Sequence, residues 1–270
     1  FDGLRLVHRT WAAQEPIAGL LIVHGFAEHG MRYGHVLDAL LPANISVMTW
    51  DQRGHGTSGG RRGHVDRFDD YCDDVAMMIE FARDRLPSPL FLLAHSMGGL
   101  ITTRLALARG LKVDGLVLSN PALAVKMPVP AWKSIAAKGL SRFLPTLKMP
   151  AGVPATLVSR DPDEVRKYVD DELVFSDATT RWGDEFLRAQ AEMVGASERF
   201  TFAPTLVQLG SADGITDPVA NSNFFGSCGS GDCRIEVYPD AYHELYNEPA
   251  AARDPILADL RTWIVGAAKA

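Results

Sequence analysis

A continuous apolar run, Leu90-Phe91-Leu92-Leu93, meets Ala94-His95-Ser96-Met97-Gly98, and a helix-forming run begins at Gly99. No other stretch constrains the chain so tightly. A buried strand that turns at once into a helix, with serine at the corner, is the context of a nucleophile elbow. The corner strains the serine backbone and leaves little room two residues before and two after it. Ala94 and Gly98 are small enough for those places. The usual pentapeptide has glycine first, so Ala94 departs from it by one methyl. The new helix aims its unpaired N–H groups beside Ser96, which suits a developing anion. Such an elbow asks for two partners further along, an acid and then a histidine.

The rest of the chain supplies the setting. Gly19-Leu20-Leu21-Ile22-Val23, Ile45-Ser46-Val47-Met48-Thr49-Trp50 and Gly115-Leu116-Val117-Leu118-Ser119 read as strands, mostly apolar as expected of strands covered on both faces. Helical periodicity fills residues 33–41 and 67–86, and the elbow helix comes after the next strand. This alternation predicts an α/β fold, a mostly parallel central sheet with helices on both faces. Residues 4–11 alternate as a strand, and Asp2-Gly3 reads as the end of a hairpin turn whose partner would precede residue 1. The rhythm breaks between residues 122 and 202. That stretch has no strand signal, prolines at 128, 130, 145, 150, 154 and 162, and helical patches over 131–140, 162–170 and 179–193. The expectation is a core of residues 1–121 and 203–270 with a helical cap, residues 122–202, inserted into it. The sheet resumes at 204–209, its last strand is 234–238, and a helix over 251–265 closes the chain.

These positions nominate the site residues. His24-Gly25-Phe26-Ala27-Glu28-His29-Gly30 ends a central strand, where parallel sheets place ligands. Oxyanion donors would be the N–H of Phe26, on this loop, and of Met97, after the nucleophile. His24 and His29 read as turn and packing residues. The glycine-dense loop at 51–60 lacks a Gly-Lys-[Ser/Thr] ending, so it reads as structural, with Asp51, Arg53 and His55 tying it to its neighbours. Asp213 sits just past a strand end, where the acid of a triad belongs. Asp217 precedes Pro218 and a helix, so its expected task is the N-cap. His243 lies on the loop after the last strand, the place for the general base. Ser96 would attack an ester carbonyl, His243 would carry the proton, and Asp213 would hold the imidazole.

Composition excludes several alternatives. Of 270 residues, 47% are hydrophobic and 22% charged, with a formal net charge of −6, so no basic surface for nucleic acid is expected. No apolar stretch approaches the roughly 18 residues of a membrane span, and no leader peptide is visible. Three cysteines, an odd and low count, lean toward a reducing, cytoplasmic compartment. Cys228 and Cys233 flank a flexible loop that would allow a local disulfide. No Cys/His pair stands near them, so no metal is expected. In the cap, Trp132, Ile135 and Leu144 are first candidates for the wall of an acyl pocket, beneath a mobile lid able to touch a membrane or micelle transiently. Lys126, Lys133 and Lys148 could meet a phosphate, and Asp161, Asp163, Glu164, Asp170, Asp171 and Glu172 could meet an amine.

Taken together, the chain resembles the monoacylglycerol lipase and lysophospholipase branch of the α/β-hydrolases. The resemblance rests on His24-Gly25-Phe26-Ala27-Glu28-His29, Asp51-Gln52-Arg53-Gly54-His55-Gly56-Thr57-Ser58-Gly59, His95-Ser96-Met97-Gly98-Gly99, Gly210-Ser211-Ala212-Asp213 and Tyr242-His243-Glu244-Leu245. It runs over almost the whole chain. It implies ester hydrolysis of single-chain lipids, no cofactor, and a flexible cap. The alternatives are a lysophospholipase, a general carboxylesterase, a serine aminopeptidase, or a binding protein that kept the scaffold. Ser96 excludes members of this fold that use an aspartate nucleophile.

Overall fold

The computed structural model describes residues 2–126 and 139–269. One sheet holds seven strands: β1 (Val7–Trp11), β2 (Ala18–Val23), β3 (Ile45–Asp51), β4 (Leu90–His95), β5 (Gly115–Ser119), β8 (Thr205–Gly210) and β9 (Cys233–Tyr238). Their order across the sheet is β1-β3-β2-β4-β5-β8-β9. All neighbours are parallel except β1, which runs antiparallel to β3 at one edge. The five inner strands are buried at every residue, which is why they read as mostly apolar runs.

Alternate side chains of each strand feed two cores. Leu20, Ile22, Phe91, Leu93 and Val117 pack with Val36 and Leu40 of α1 (Gly34–Leu40) and with Ile256, Leu260 and Ile264 of α7 (Ala250–Ala267). Leu21, Val23, Leu92, Leu116 and Leu118 pack on the other face with Val75 and Ile79 of α2 (Phe68–Arg83) and Ile101 and Leu105 of α3 (Met97–Arg109). The chain winds from β2 to β3 through α1 on one face, and from β4 to β5 through α3 on the other. Winding therefore reverses between β2 and β4, and their carboxyl ends open onto a crevice. The loop after β2 and the elbow after β4 share that crevice.

β5 and β8 are neighbours in the sheet yet far apart in sequence, and the intervening stretch passes over the carboxyl ends of the strands. Its described part contains β6 (Lys148–Pro150), β7 (Asp177–Thr179), α4 (Pro162–Asp170) and α5 (Thr180–Met193). The β6–β7 antiparallel pair corrects the expectation of a strand-free insertion. Three residues a side, one of them Pro150, are too few to show an alternation. The remaining sheet helix, α6 (Pro218–Gly226), lies between β8 and β9. Among the described residues, no helix is long and apolar enough to cross a membrane.

Candidate active site

Ser96 sits at φ 52° and ψ −118°, between the end of β4 and the first residue of α3. Such a backbone costs on the order of 1–3 kcal/mol and persists only where its surroundings hold it. Three hydrogen bonds do so here. The Ser96 N–H donates to Ser119 O at 3.0 Å, and its carbonyl accepts from Leu100 N–H at 3.1 Å and Ala122 N–H at 2.9 Å. A Cβ at Gly98 would lie 2.5 Å from Val23 O and 2.6 Å from His24 O, so only glycine lets α3 seat against the end of β2. Ala94, paired with Val23 and Leu118, fits its extra methyl inside the sheet at full burial.

The loops after β8 and β9 bring the acid and the histidine to this serine. His243 Nε2 is 2.9 Å from Ser96 Oγ, and Nδ1 is 2.8 Å from Asp213 Oδ2. Asp213 also accepts from Thr216 Oγ1 at 2.6 Å and from the N–H groups of Ile215 and Thr216 at 2.7 and 3.1 Å. Burial works to raise its pKa, but His243 and these donors outweigh burial and hold the carboxyl below its usual range. Burial works to lower the pKa of His243, and the Asp213 charge outweighs it, so the imidazole is more basic than usual. A histidine so placed can take the hydroxyl proton of Ser96 through Nε2 while Nδ1–H stays on the carboxylate. Asp217 Oδ1 accepts from Val219 and Ala220 N–H at 2.9 and 3.1 Å, ahead of Pro218, and so caps α6.

The loop after β2 is clamped from below. His24 Nε2 accepts from Gln52 N–H at 2.9 Å, which leaves Nδ1–H to donate to Gly25 O at 2.7 Å. Burial first, and His55 second, push His24 down to about 3, so it stays neutral. Gly25 N–H donates to Glu28 Oε1 at 2.5 Å. Phe26 and Met97 both line the crevice beside Ser96. The Met97 N–H, at the first turn of α3, has no acceptor within its own helix. The 51–60 loop is structural, since Arg53 is bound to Asp74 by two hydrogen bonds of 2.5 and 2.7 Å and Asp51 accepts from Gly30 and Thr57 N–H.

Ser96 and His243 open into a cavity of about 670 Å³. Its outer wall is the insertion: Met149, Val153, Val158, Val174, Phe175, Trp182, Phe186 and Leu187. Trp182 and Phe186 stack at 4.8 Å on one face of α5, and Trp182 lies 4.0 Å from the Phe26 ring. Of the expected pocket residues, Trp132 and Ile135 fall outside the described residues, as does Lys133. Leu144 is a miss, because it is 52% exposed and does not line the cavity.

A family described as serine aminopeptidase, S33 matches residues 14–250. The monoacylglycerol lipase of Mycolicibacterium smegmatis is 32% identical over 97% of this chain and 94% of its own. Phospholipase YtpA of Bacillus subtilis is 31% identical over 89% of this chain and 93% of its own. The crystal structure of the Paleococcus ferrophilus monoacylglycerol lipase superposes with a TM-score of 0.88 at 31% identity, covering 97% of this chain and 99% of that one. The chain belongs to the α/β-hydrolases, in their monoacylglycerol lipase and lysophospholipase branch. As a member, it is an ester-hydrolysing enzyme.

This α/β-hydrolase also carries charged groups at its cavity that sequence reasoning did not single out. Glu28 and Glu244 line the cavity next to His243, and the buried Arg32 lies between them. Arg32 is 2.5 Å from Glu244 and 3.7 Å from Glu28, and its guanidinium sits 4.8 Å above the Tyr168 ring of α4. Burial, then the Glu244 charge, pushes Glu28 up to about 7 against the pull of Arg32. A signal existed in the two motifs that hold these residues, but a carboxylate in a motif does not say which way it faces. Cys228 and Cys233 are free thiols in and beside the loop that leads into β9.

Proposed function

We propose that this hydrolase cleaves single-chain lipid esters, monoacylglycerols first among them, through an acyl-enzyme on Ser96. The observation that carries this reading is His243 joined to Ser96 and Asp213 at 2.9 and 2.8 Å, at the mouth of an apolar cavity. Ser96 Oγ attacks the ester carbonyl as His243 Nε2 takes its proton. The Phe26 and Met97 N–H groups hold the oxyanion. His243 returns the proton to the departing alkoxide, which leaves as alcohol. Water then attacks the acyl-Ser96 with His243 again as base, and the fatty acid departs. No cofactor enters any step.

The cavity's charges favour a neutral leaving group. Among the described residues its charged lining is Glu28 and Glu244, with Arg32 already engaged by both. Lys126 and Lys148 lie outside that lining, which weighs against a lysophospholipid phosphate. The cap acids do not line it either, which weighs against a peptide amine. Exposed Phe143, Leu144 and Leu147 give the cap an apolar face for transient contact with a lipid surface. The three free thiols suit a reducing, cytoplasmic setting.

A fluorophosphonate probe should label wild-type protein and not Ser96→Ala, and that substitution should lower turnover by about a million-fold. A Ser96→Ala enzyme keeping more than about a hundredth of wild-type turnover would remove Ser96 from the chemistry. On matched acyl chains, monoacylglycerol should turn over faster than lysophosphatidylcholine and aminoacyl amide. The reverse order would make the lysophospholipase or aminopeptidase the better reading.

A further inference from the structure

The cap reaches past the acyl cavity and takes hold of the loop that carries Phe26. His29 is the residue through which it does so. Its Nδ1 accepts from Met31 N–H at 3.3 Å, which leaves Nε2–H to donate to Asp171 Oδ2 at 2.8 Å. Asp171 directly succeeds α4 in the cap, and its other oxygen is fixed by Leu173 N–H at 2.8 Å. Four residues on, Phe175 N–H donates to Ala27 O at 3.3 Å, the carbonyl immediately past Phe26. Ala27 itself stands at φ 66°, a conformation that needs outside support in a residue other than glycine. The Phe26 ring is held between Phe175 at 5.4 Å and Trp182 at 4.0 Å.

We propose that Asp171 is a positioning residue for the reaction, locking the cap onto the loop through His29 so that the Phe26 N–H stays aimed at the oxyanion. This rests on the serine-hydrolase reading above. Asp171 touches neither substrate nor cavity; it acts through His29 and the 171–175 segment. Its side chain is 25% exposed, so water can take the place of the hydrogen bond it accepts from His29, and that bond adds little to folding stability. Its removal therefore acts on alignment. A displacement of about 1 Å at a reacting group lowers rate by up to roughly a hundredfold.

The experiment compares Asp171→Ala, Asp171→Asn and Asp170→Ala with wild type on p-nitrophenyl acetate and p-nitrophenyl decanoate, together with the rate of fluorophosphonate labelling. Asp171→Ala should lower kcat roughly 10- to 100-fold on both esters alike, leave KM nearly unchanged and slow labelling by a similar factor. Asp171→Asn, whose amide oxygen still accepts from Nε2–H, should recover most of the loss at an unchanged melting temperature. Asp170→Ala, next door and exposed, should match wild type. A loss confined to decanoate, or to KM, would make Asp171 part of an acyl wall and overturn the proposal. Equal losses in the alanine and asparagine variants with a lowered melting temperature would also overturn it, as a purely structural effect. A wild-type enzyme that neither labels nor turns over acetate overturns the serine-hydrolase reading itself, and that failure is seen before any Asp171 variant is measured.

Discussion

At the scale of single residues, two aspartates four positions apart do different work because their C-terminal neighbours differ. Asp213 turns both oxygens toward His243, Thr216 and the Ile215 N–H, whereas Asp217 spends its carboxylate on the first N–H groups of α6. Asp213→Asn is expected to lower kcat by roughly four orders of magnitude, since the amide stabilises the wrong imidazole tautomer. Asp217→Asn should stay near wild type, because asparagine caps a helix about as well as aspartate. The pH effect has a definite sign. His243 must be neutral to accept the serine proton, and Asp213 raises its pKa, so wild-type kcat/KM should fall as pH drops through a value above the ordinary histidine one. In residual Asp213→Asn activity that acidic limb should move to lower pH. A limb that stays in place in stopped-flow or steady-state profiles would separate Asp213 from the titration. These aspartates could be told apart from sequence because proline and a strand end are local signals. Glu28, Arg32 and Glu244 could not, since their grouping depends on loops more than 200 residues apart meeting in space.

Elements show the same division between local and distant causes. The strands of the sheet and helices α2, α4 and α5 stand close to where the sequence places them, because burial imprints a pattern on the inner strands, α2 and α5, and the Asp161 cap with Pro162 marks the start of α4. The acyl wall was harder to read. Helix α5 carries Trp182, Phe186 and Leu187 toward the cavity, yet the same spacing would serve a helix packed on the sheet. Only the crevice between β2 and β4 decides which face meets substrate. Substitutions on α5 should therefore reset chain length. Leu187→Trp should shorten the preferred acyl chain and Phe186→Ala should favour longer ones. Each methylene lost from the cavity is worth about 0.8 kcal/mol, or roughly fourfold in kcat/KM. Chain-length profiles over p-nitrophenyl esters measure this, and profiles that merely scale down without shifting would take α5 out of specificity.

On the scale of the whole molecule, the described part of the cap exposes apolar side chains close together in sequence. Phe143, Leu144 and Leu147 are 79%, 52% and 43% exposed on the cap, while the five inner strands of the sheet bury their apolar residues. Replacing Phe143 and Leu147 by serine should lower activity on monoacylglycerol dispersed in vesicles by several-fold and leave hydrolysis of a water-soluble butyrate ester unchanged. Equal loss on both substrates would show that these side chains support the fold instead. Hydrogen exchange should also find the described cap, from residue 139 onward, less protected than the inner strands, because lids are drawn from the low-stability end of a structure. A cap as protected as the sheet, and unaltered by a lipid phosphonate, would be a rigid wall.

The trio of Glu28, Arg32 and Glu244 has a consequence for how the reaction ends. On the proposed mechanism the substrate ester is neutral, whereas the fatty acid released from Ser96 is an anion at neutral pH. It is born beside two carboxylates that share a single guanidinium. The site thus tolerates what enters and repels what it makes, which hastens clearance and opposes resynthesis. Glu28 is pushed up to about 7, so the repulsion grows as pH rises through that value and Glu28 ionises. Inhibition by added fatty acid should weaken over that range while inhibition by the matching fatty alcohol holds constant; parallel curves for the two would assign product release to the apolar cavity alone.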